Sequence, residues 1–527
     1  CLVGSEMCIR DRYYTNSKEI TSYMVTKLNV VDSDVILEPS AGEGIFIDKV
    51  LEFNKTVQID ALDINAEAIA TLKKKYENNP AVVVRETDTL LDEQLDSYSV
   101  SQLWLKRTDT LFDRQLDSFG ALGGHYSKVI GNPPYGAWQD YEKRDILKKK
   151  FAGQYVKETY SLFLLRCISV LKMRGRLSFI IPDTYLFLNM HSRLREVLFK
   201  NTKIDEVLIF PSKFFPGVSF GYSNLSIITL ERCENNEALN NTFRVIQGFK
   251  SPNEFELLLN TNKILPEHLQ VFNFIQKDVL STEQCRMILA ETKTSSLLSN
   301  NTRKLGDVAD VVTGFYTGDN LRFIKAANRD VKGSKNYEIV SPDQVYDCNS
   351  LYGIAGVQKG YVPYIKSSSK RRYVRQPDEW YVQWDKKAIE FYNKSKKSRF
   401  QNSSFYFKTG IGIPMVKSKV IKAFLMKDRV FDQSIVGIFP KENSKIHYIL
   451  ALMNSDIINN LIHAINPSAN NSANYIKQIP YIEPGKECMV EINNIVKKII
   501  ILEKNQEYEK ADKLHVQLNT IINQIYS

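Results

Sequence analysis

Residues 130–136 read Ile-Gly-Asn-Pro-Pro-Tyr-Gly and combine side chains whose types could do chemistry. The motif follows a short apolar segment that predicts a strand. Each proline fixes its own φ and removes a backbone donor, so the residues after the strand form a rigid platform whose polar atoms point outward. Such a platform is typical of the edge of an active site. An ordinary proline-bounded turn is the alternative, and the neighbouring motifs have to decide between the two interpretations.

A glycine-containing turn lies earlier in the chain, where residues 38–44 read Glu-Pro-Ser-Ala-Gly-Glu-Gly. The turn joins a predicted strand at 34–37 to a predicted helix at 45–53, and this order lets the backbone approach a ligand at the helix N-terminus. It lacks the third glycine of the dinucleotide fingerprint, and Glu38 and Glu43 would repel a pyrophosphate. The acidic turn therefore favours a cationic ligand.

A carboxylate ends the second predicted strand, which covers residues 58–62. This residue is Asp63, which lies 21 residues after Gly42. A carboxylate at this point of a strand-helix-strand unit is placed to accept hydrogen bonds from ribose hydroxyls. The spacing therefore indicates a nucleoside-containing cofactor.

Asp88 follows the third predicted strand, at 81–85, and could meet the adenine edge of the same cofactor. Capping of a turn or a helix is the alternative role. Residues 86–97 are echoed at 107–118, and we interpret one copy as an insertion, which leaves Asp109 as the alternative to Asp88.

The elements predicted around these motifs belong to an α/β fold with a Rossmann-like sheet. The strand at 126–130 should lie beside the first strand at the topological switch point, so that its motif and the glycine turn face each other. An amphipathic helix at 15–28, capped by Thr15 or Ser17, precedes the first strand. Further predicted elements are a helix at 160–171 and strands at 176–181, 205–210 and 225–230.

The basic residues are concentrated in the second half of the chain. The formal net charge is +10, and residues 301–527 carry 34 Lys and Arg against 22 Asp and Glu. Residues 359–427 hold 17 basic and 4 acidic residues among thirteen aromatic rings. Cations among rings favour contact with a phosphate backbone and exposed bases, whereas a solvated lysine-rich surface is the alternative. Candidate contacts are Lys370, Arg371, Arg372, Arg375, Lys396 and Lys397.

Several classes of protein are disfavoured by the composition. The seven cysteines form no Cys-x-x-Cys pair and the six histidines form no ligand set, so we expect neither a disulfide framework nor a metal site. No apolar run approaches the roughly 20 residues that span a bilayer. We expect a protein of the reducing cytoplasm, in a prokaryotic or phage-infected cell.

The predicted organisation has five parts. Residues 1–12 are interpreted as a non-native leader, because they show neither the apolar region of a secretory signal nor a helical period. The α/β domain follows at 13–240 and a polar, partly helical connection at 241–302. A mixed α+β domain at 303–485 and a helical tail at 486–527 complete the chain.

Taken together, the Glu-Pro-x-Ala-Gly-x-Gly turn and the Ile-Gly-Asn-Pro-Pro-Tyr-Gly motif make the sequence resemble the gamma-class adenine-N6 DNA methyltransferases of type II restriction-modification systems. The resemblance covers residues 13–485 and is most specific in the first 230. It implies a Rossmann-like S-adenosylmethionine-dependent domain followed by a target recognition domain. The residues that it implies around the cofactor are Thr15, Glu38, Pro39, Ala41, Gly42, Asp63, Asp88, Pro134 and Phe163.

The resemblance also implies roles for individual residues. Asp63 would bind the ribose hydroxyls, Asp88 the adenine amino group and Phe163 the adenine face. Asn132, Pro133, Pro134 and Tyr135 would form the catalytic motif, and Tyr135 and Phe215 would stack on a target base turned out of the duplex. The neighbouring Phe214 leaves the register of this last assignment open. The chain departs from the family at Met173-Arg174-Gly175, where two glycines are common, and at the doubled segment.

The expected partners are double-stranded DNA and a restriction endonuclease encoded separately, with the chain itself a monomer. Methylation of RNA or of a protein glutamine is one alternative, because the Asn-Pro-Pro-Tyr motif serves those substrates too. A bifunctional restriction enzyme is a second, although residues 377–379 with Lys386 lack a convincing nuclease strand and the first helix leaves no room for an amino-terminal nuclease. A module that binds DNA without modifying it is a third.

Overall fold

The computed structural model describes residues 17–99, 124–136, 141–215, 224–259, 264–289, 297–298, 303–367, 369–375, 377–416, 420–465 and 471–526. The predicted leader, Thr15 and Asp109 lie outside these residues. The chain divides into two compact units, Cys1–Met287 and Ile288–Ser527. Within the described residues, no helix combines the length and the apolar character that crossing a membrane requires.

The described part of the first unit contains a nine-stranded mixed sheet with the order β3-β2-β1-β4-β5-β7-β6-β8-β9. Strand β7 runs antiparallel to both β5 and β6, whereas β1 to β5 pair in parallel. The strands are β1 (Val35–Glu38), β2 (Gln58–Asp63), β3 (Val82–Glu86), β4 (Tyr126–Gly131), β5 (Leu171–Pro182), β6 (Thr202–Pro211), β7 (Asn224–Arg232), β8 (Thr242–Gln247) and β9 (Gln270–Ile275).

Short polar residues begin several helices of this unit. The Ser17 hydroxyl accepts a hydrogen bond from the Ile20 amide at 3.3 Å. Ser17, which is one of the two predicted caps, is therefore the N-cap of the first helix. Asn65 caps the third helix in the same way. The helices are α1 (Lys18–Leu28), α2 (Ile45–Phe53), α3 (Ala66–Lys75), α4 (Glu93–Tyr98), α5 (Tyr141–Lys150), α6 (Thr159–Val170), α7 (Ser192–Asn201), α8 (Asn235–Leu239) and α9 (Gln276–Ser281).

The predicted neighbourhood of the first and fourth strands is confirmed. Strand β1 pairs in parallel with β2 on one side and with β4 on the other, where Leu37 lies opposite Val129. The carboxyl ends of β1 and β4 therefore meet at the switch point of the sheet, where open α/β sheets form their ligand crevice.

The first unit extends further along the chain than the predicted boundary at residue 240. Strands β8 and β9 continue the sheet, and the unit ends at Met287, within the segment 241–302 that was predicted as a connection. The apolar side chains of β8 are buried, but polar residues separate them and β9 is largely exposed. A polar, asparagine-rich composition therefore concealed the last two strands on this side of the sheet.

The described part of the second unit contains two four-stranded sheets, with the orders β10-β17-β14-β15 and β11-β13-β12-β16. The strands are β10 (Ala309–Thr313), β11 (Ile324–Ala326), β12 (Tyr361–Ile365), β13 (Trp380–Gln383), β14 (Gly410–Pro414), β15 (Phe424–Met426), β16 (Val430–Phe431) and β17 (Ile435–Pro440). The helices are α10 (Leu305–Val308), α11 (Asn320–Phe323), α12 (Lys386–Lys394), α13 (Ile446–Asn454), α14 (Asp456–Ile465), α15 (Ala473–Ile476), α16 (Lys486–Lys504) and α17 (Tyr508–Ile525).

Most aromatic residues of the basic segment 359–427 form the core of this unit, contrary to the interpretation that they serve exposed bases. Nine of the thirteen rings are buried, and Trp384 packs against Phe315 and Tyr406. The physical reason is that short strands and turns bury little aliphatic surface, and large rings supply the missing apolar area. The buried rings are Tyr361, Tyr364, Tyr373, Trp380, Trp384, Tyr392, Tyr406, Phe407 and Phe424.

The two carboxyl-terminal helices pack onto the second unit. Helix α16 buries Ile492, Val496 and Ile499, and it lies against α13 and α17. Packing onto the same chain therefore accounts for the buried apolar residues of α16.

Candidate active site

The Asn-Pro-Pro-Tyr motif lies directly beside the glycine turn. The Ser40 hydroxyl donates a hydrogen bond to the backbone carbonyl of Asn132 at 3.2 Å. A side chain at Gly131 would place its Cβ 3.3 Å from Pro39, so the close approach of the two loops favours glycine there. The expected face-to-face arrangement of the motif and the turn is therefore confirmed.

Asp63 holds the glycine turn in place. The Gly42 amide donates to Asp63 Oδ2 at 2.9 Å, and the Asn65 amide donates to Oδ1 at 2.8 Å. Gly42 and Gly44 both have positive φ, and a Cβ at Gly44 would lie 2.8 Å from Leu72 and from the Tyr76 hydroxyl. The carboxylate is half-buried, and each of its oxygens keeps a further lone pair for a ligand.

Glu38 is a buried carboxylate at the end of β1. Its Oε2 atom has no hydrogen-bond partner among the described residues. Burial raises the pKa of the Glu38 carboxyl well above its ordinary value, and the charges of Asp63 and Asp48 act in the same direction. A buried acid with an unused oxygen suits a ligand that brings a cation or a hydrogen-bond donor.

Asp88 is engaged on both oxygens. Its Oδ1 accepts a hydrogen bond from the Leu90 amide at 3.1 Å, and its Oδ2 lies 2.6 Å from Lys143 Nζ of α5. The hydrogen bond from the Leu90 amide is the turn-capping contact that the sequence analysis gave as the alternative role of Asp88. The second means that a cofactor adenine would compete with Lys143 for this carboxylate.

Arg166 is a further residue of this region that the sequence analysis did not identify. It is fully buried on α6, and its guanidinium donates to the carbonyls of Thr89 and Asp92, at 3.3 and 2.7 Å. It also lies 2.7 Å from the Asp96 carboxylate. Thr89 in turn donates to the Pro39 carbonyl at 2.5 Å, so Arg166 positions the loop after β3. A single charged residue in an otherwise uncharged helix was the available signal.

The rings expected to hold a target base are covered in this structure. Tyr135 and Phe215 are each 3% exposed, and Phe215 packs against Phe210 with ring centroids 6.3 Å apart. Phe214 lies on the same ring at 5.7 Å and is less buried. Residues 216–223, which follow, lie outside the described residues.

The start of α6 adjoins the catalytic motif. The Thr159 amide donates to the Tyr135 carbonyl at 3.1 Å. Asn132 is half-buried, Pro133 is buried and Pro134 is exposed. Phe163 is buried one turn further along α6, and Ala41 is buried in the glycine turn. The motif is therefore anchored at both of its ends.

The candidate DNA contacts of the second unit have different environments. Arg371 donates to Glu503 at 2.6 Å and to Asp512 at 2.8 Å, and it lies over the Tyr508 ring. Burial lowers the pKa of Arg375 to about 10. Arg372 is half-buried, whereas Lys370, Lys396 and Lys397 are exposed. The Arg371 guanidinium thus already forms ion pairs within the second unit.

Comparison with known proteins finds a family model that matches part of the first unit. Residues 18–215 match the family described as Eco57I restriction-modification methylase. The match covers less than half of the chain, and the matched residues are called the Eco57I-like segment below. The match contains the glycine turn, Asp63, Asp88, the Asn-Pro-Pro-Tyr motif and Phe215. The Eco57I-like segment therefore holds most of the candidate residues outside the second unit.

Two characterised relatives extend this comparison. The type II methyltransferase M.AccI of Acinetobacter calcoaceticus is 22% identical over 296 residues, which are 55% of this chain and 48% of the relative. The type II restriction enzyme and methyltransferase RM.Eco57I of Escherichia coli is 30% identical over 93 residues, 16% of this chain and 9% of the relative. The chain thus spans about half the length of M.AccI.

A solved structure has a similar fold. It is a nuclease-deletion mutant of the Type ISP restriction-modification enzyme LlaGI in complex with a DNA substrate mimic. The TM-score is 0.54 at 14% identity, over 93% of this chain and 47% of LlaGI. The similarity of fold thus extends over residues of both units.

Proposed function

We propose that this chain is a site-specific DNA methyltransferase, which transfers a methyl group from S-adenosylmethionine to the N6 amino group of adenine in duplex DNA. The observation that carries the proposal is the position of the Asn-Pro-Pro-Tyr motif at the carboxyl end of β4, beside the glycine turn of β1. The Eco57I-like segment supports methyl transfer to DNA.

The residues of the glycine turn fit S-adenosylmethionine. Asp63 keeps lone pairs for the ribose hydroxyls. Glu38 offers the cationic methionine portion a buried oxygen that has no hydrogen-bond partner within the described part of the chain. Asp88 would meet the adenine amino group after it separates from Lys143, and the buried Phe163 would pack on the adenine face. The cofactor supplies an activated methyl group on a sulfonium.

The catalytic motif would make the adenine amine a better nucleophile. The lone pair of that nitrogen is delocalised into the ring, so acceptors that hold both amino hydrogens favour the pyramidal, reactive form. The side-chain oxygen of Asn132 and the carbonyl of Pro133 can accept these two hydrogens. The proton can leave after transfer, so positioning does most of the work and no strong base is required.

The target base must leave the duplex to reach these acceptors, which costs a few kcal/mol. Stacking on Tyr135 and Phe215 would offset part of this cost. Since both rings are covered in this structure, we expect the segments around them to move when the base enters.

The substitution Asn132→Ala tests the proposal. Loss of a preorganised acceptor should lower kcat by about 100- to 1,000-fold or more, while the Kd of S-adenosylmethionine stays within a factor of about two. The measurements are transfer of tritiated methyl groups to duplex DNA and calorimetric titration of the cofactor. Asn236→Ala, at an exposed asparagine of α8, is the matched control. Normal turnover by Asn132→Ala would contradict the proposed role.

RNA and protein glutamine are the competing substrates of the same motif. Treatment of the labelled product with DNase, RNase or protease separates the three. Release of the label by DNase alone is expected, and nucleoside analysis of that fraction should show N6-methyladenine. Long-read sequencing of DNA from cells that express the chain would then identify the recognition sequence.

A bifunctional restriction enzyme is the second candidate, because part of the chain is similar to RM.Eco57I, which is named as both a restriction enzyme and a methyltransferase. Magnesium-dependent cutting of plasmid DNA by the purified chain would favour this candidate. Our proposal instead expects methylation without cutting, by a monomer that works beside a separately encoded endonuclease.

A further inference from the structure

A cleft of about 850 Å³ opens in the second unit, beside α11 and the loop that follows α12. Its lining combines three cations with apolar and amide side chains, namely Asn320, Leu321, Arg322, Phe391, Lys396 and Lys397. Of the three cations, Lys396 and Lys397 come from the basic segment 359–427, whereas Arg322 precedes it.

The walls of the cleft are tied together by backbone hydrogen bonds. The amides of Tyr316 and Arg399 each donate to the carbonyl of the other, at 3.3 and 2.9 Å. The Ser398 hydroxyl also donates to the Tyr316 carbonyl, at 3.1 Å. At Gly318, φ is +87° and a Cβ would lie 2.9 Å from the Ser398 nitrogen, so this approach requires glycine. The cleft is therefore preformed.

Arg322 is held by aromatic rings while its polar edge stays exposed. The guanidinium carbon lies 4.7 Å from the Phe323 ring centroid and 5.2 Å from that of Phe391. No salt bridge to Arg322 is found among the described residues, in contrast to Arg371. Stacking restricts the side chain at little cost and leaves the N–H groups free to meet a planar partner.

The other lining groups match a nucleic acid. Lys396 and Lys397 are exposed cations without a salt bridge within the described part of the chain, and Leu321 is 58% exposed. Asp319 is the acidic lining residue, and its Oδ1 accepts a hydrogen bond from the Arg322 amide at 3.2 Å, which caps α11. Thr317 donates to Asn320 Oδ1 at 2.8 Å and so orients the Asn320 amide.

We propose that this cleft reads a guanine in the DNA recognition sequence and that Arg322 determines specificity at that position. Arginine matches O6 and N7 of guanine with two parallel hydrogen bonds, which is the commonest specific contact in the major groove. Lys396 and Lys397 contact flanking phosphates, which position the duplex without specifying its sequence. The inference rests on the proposed function only in taking DNA as the ligand.

Selection of bound sequences from a library of random duplexes tests this role without requiring methyl transfer. The full chain, Arg322→Ala and Arg322→Lys are compared, and the selected and scrambled duplexes are then titrated by fluorescence anisotropy at several salt concentrations. Lys396→Ala tests a phosphate contact, and Lys335→Ala changes an exposed lysine that does not line the cleft. Cofactor titration and thermal unfolding check that each variant is folded.

The unaltered chain should select a motif that contains a guanine, and Arg322→Ala should no longer require that guanine. The affinity of Arg322→Ala for the motif should be about 10- to 100-fold lower than that of the unaltered chain, and its affinity for scrambled duplex should change little. Arg322→Lys should keep affinity for scrambled duplex but lose much of the discrimination. Lys396→Ala should weaken binding to all sequences and reduce the salt slope by about one.

An unchanged motif in both Arg322 variants would overturn the inference, as would preference of the chain for RNA. Guanine selection by a chain that transfers no methyl group would support the inference and contradict the proposed function. Methylation at a site that does not depend on Arg322 would do the reverse.

Discussion

At the scale of single residues, the first unit places a buried carboxyl group, that of Glu38, at the start of the glycine turn. Glu38 has an unused oxygen, and its pKa is raised by burial and by the nearby Asp63 and Asp48 charges. A folded-state pKa above the unfolded value means that the folded chain binds the proton more tightly. The contribution of Glu38 to stability is therefore present at low pH and is lost as pH rises through the folded pKa.

The first prediction concerns the proton on Glu38. A cationic cofactor favours the ionised carboxylate, so affinity for S-adenosylmethionine should rise with pH up to the pKa of Glu38, and binding below it should release a proton. Glu38→Gln should bind the cofactor at least about 10-fold more weakly and yet unfold at a higher temperature near neutral pH. Calorimetry in buffers of different ionisation enthalpy counts the proton.

The control for this prediction is Glu43→Gln, on the exposed side of the same turn. It should change neither the proton release nor the stability by a comparable amount. Proton release that persists in Glu38→Gln would assign the titration to another group.

At the scale of elements, α5 and α6 enclose the loop that follows β3 from two sides. Helix α5 contributes Lys143 to Asp88 and Lys150 to Asp96, and α6 contributes the buried Arg166 to the same loop. The helix that follows the catalytic motif and the helix that carries Phe163 therefore both determine where Asp88 lies.

A second prediction follows from the pair Lys143–Asp88. If Asp88 contacts the cofactor adenine, Lys143→Gln should tighten S-adenosylmethionine binding about two- to five-fold, because a partly exposed ion pair no longer has to be broken. Asp88→Asn should weaken binding, and Lys148→Gln, at an exposed lysine of the same helix, should leave it unchanged. Weaker binding by Lys143→Gln would mean that this lysine supports the cofactor instead.

Arg166 provides the third prediction. Arg166→Met should lower the free energy of unfolding by about 3 kcal/mol, because two carbonyls and a carboxylate lose their donor in a buried site. Cofactor binding should weaken as well, since the loop that carries Asp88 loses its support. Denaturant unfolding followed with and without S-adenosylmethionine measures both effects, and Arg193→Met, on α7, is the control. An unchanged midpoint would exclude the positioning role.

At the scale of the whole molecule, the two units divide the work in the proposed function. The first carries the cofactor and catalytic residues, and the second carries the basic excess. Not all of these basic residues are available to contact DNA, because some of them stabilise the second unit itself. Arg371 joins the segment after β12 to α16 and α17 through Glu503 and Asp512.

The fourth prediction separates structural cations from those that contact DNA. Arg371→Ala should destabilise the second unit by about 2 kcal/mol, because the buried Glu503 loses its partner, and should leave the salt dependence of DNA binding unchanged. Lys370→Ala, at the neighbouring exposed lysine, should do the opposite and reduce the salt slope by about one. Equal salt slopes for the two variants would contradict this division.

The sequence by itself determined the features that depend on neighbouring residues. The order of strand, glycine turn and helix, the rigid Asn-Pro-Pro-Tyr segment and the position of Asp63 after its strand all follow from local backbone preferences and apolar patterns. These were sufficient to predict the switch point of the sheet and the loops that meet there.

Only the tertiary structure decided which residues that lie far apart along the chain contact one another. It placed most rings of the basic segment in a core, paired Arg371 with residues 132 and 141 positions away, and brought Lys143 to Asp88. It also extended the first unit through β8 and β9. A local pattern shows that a side chain is charged or aromatic, but whether it is exposed or buried, paired or free depends on the surfaces that folding brings against it.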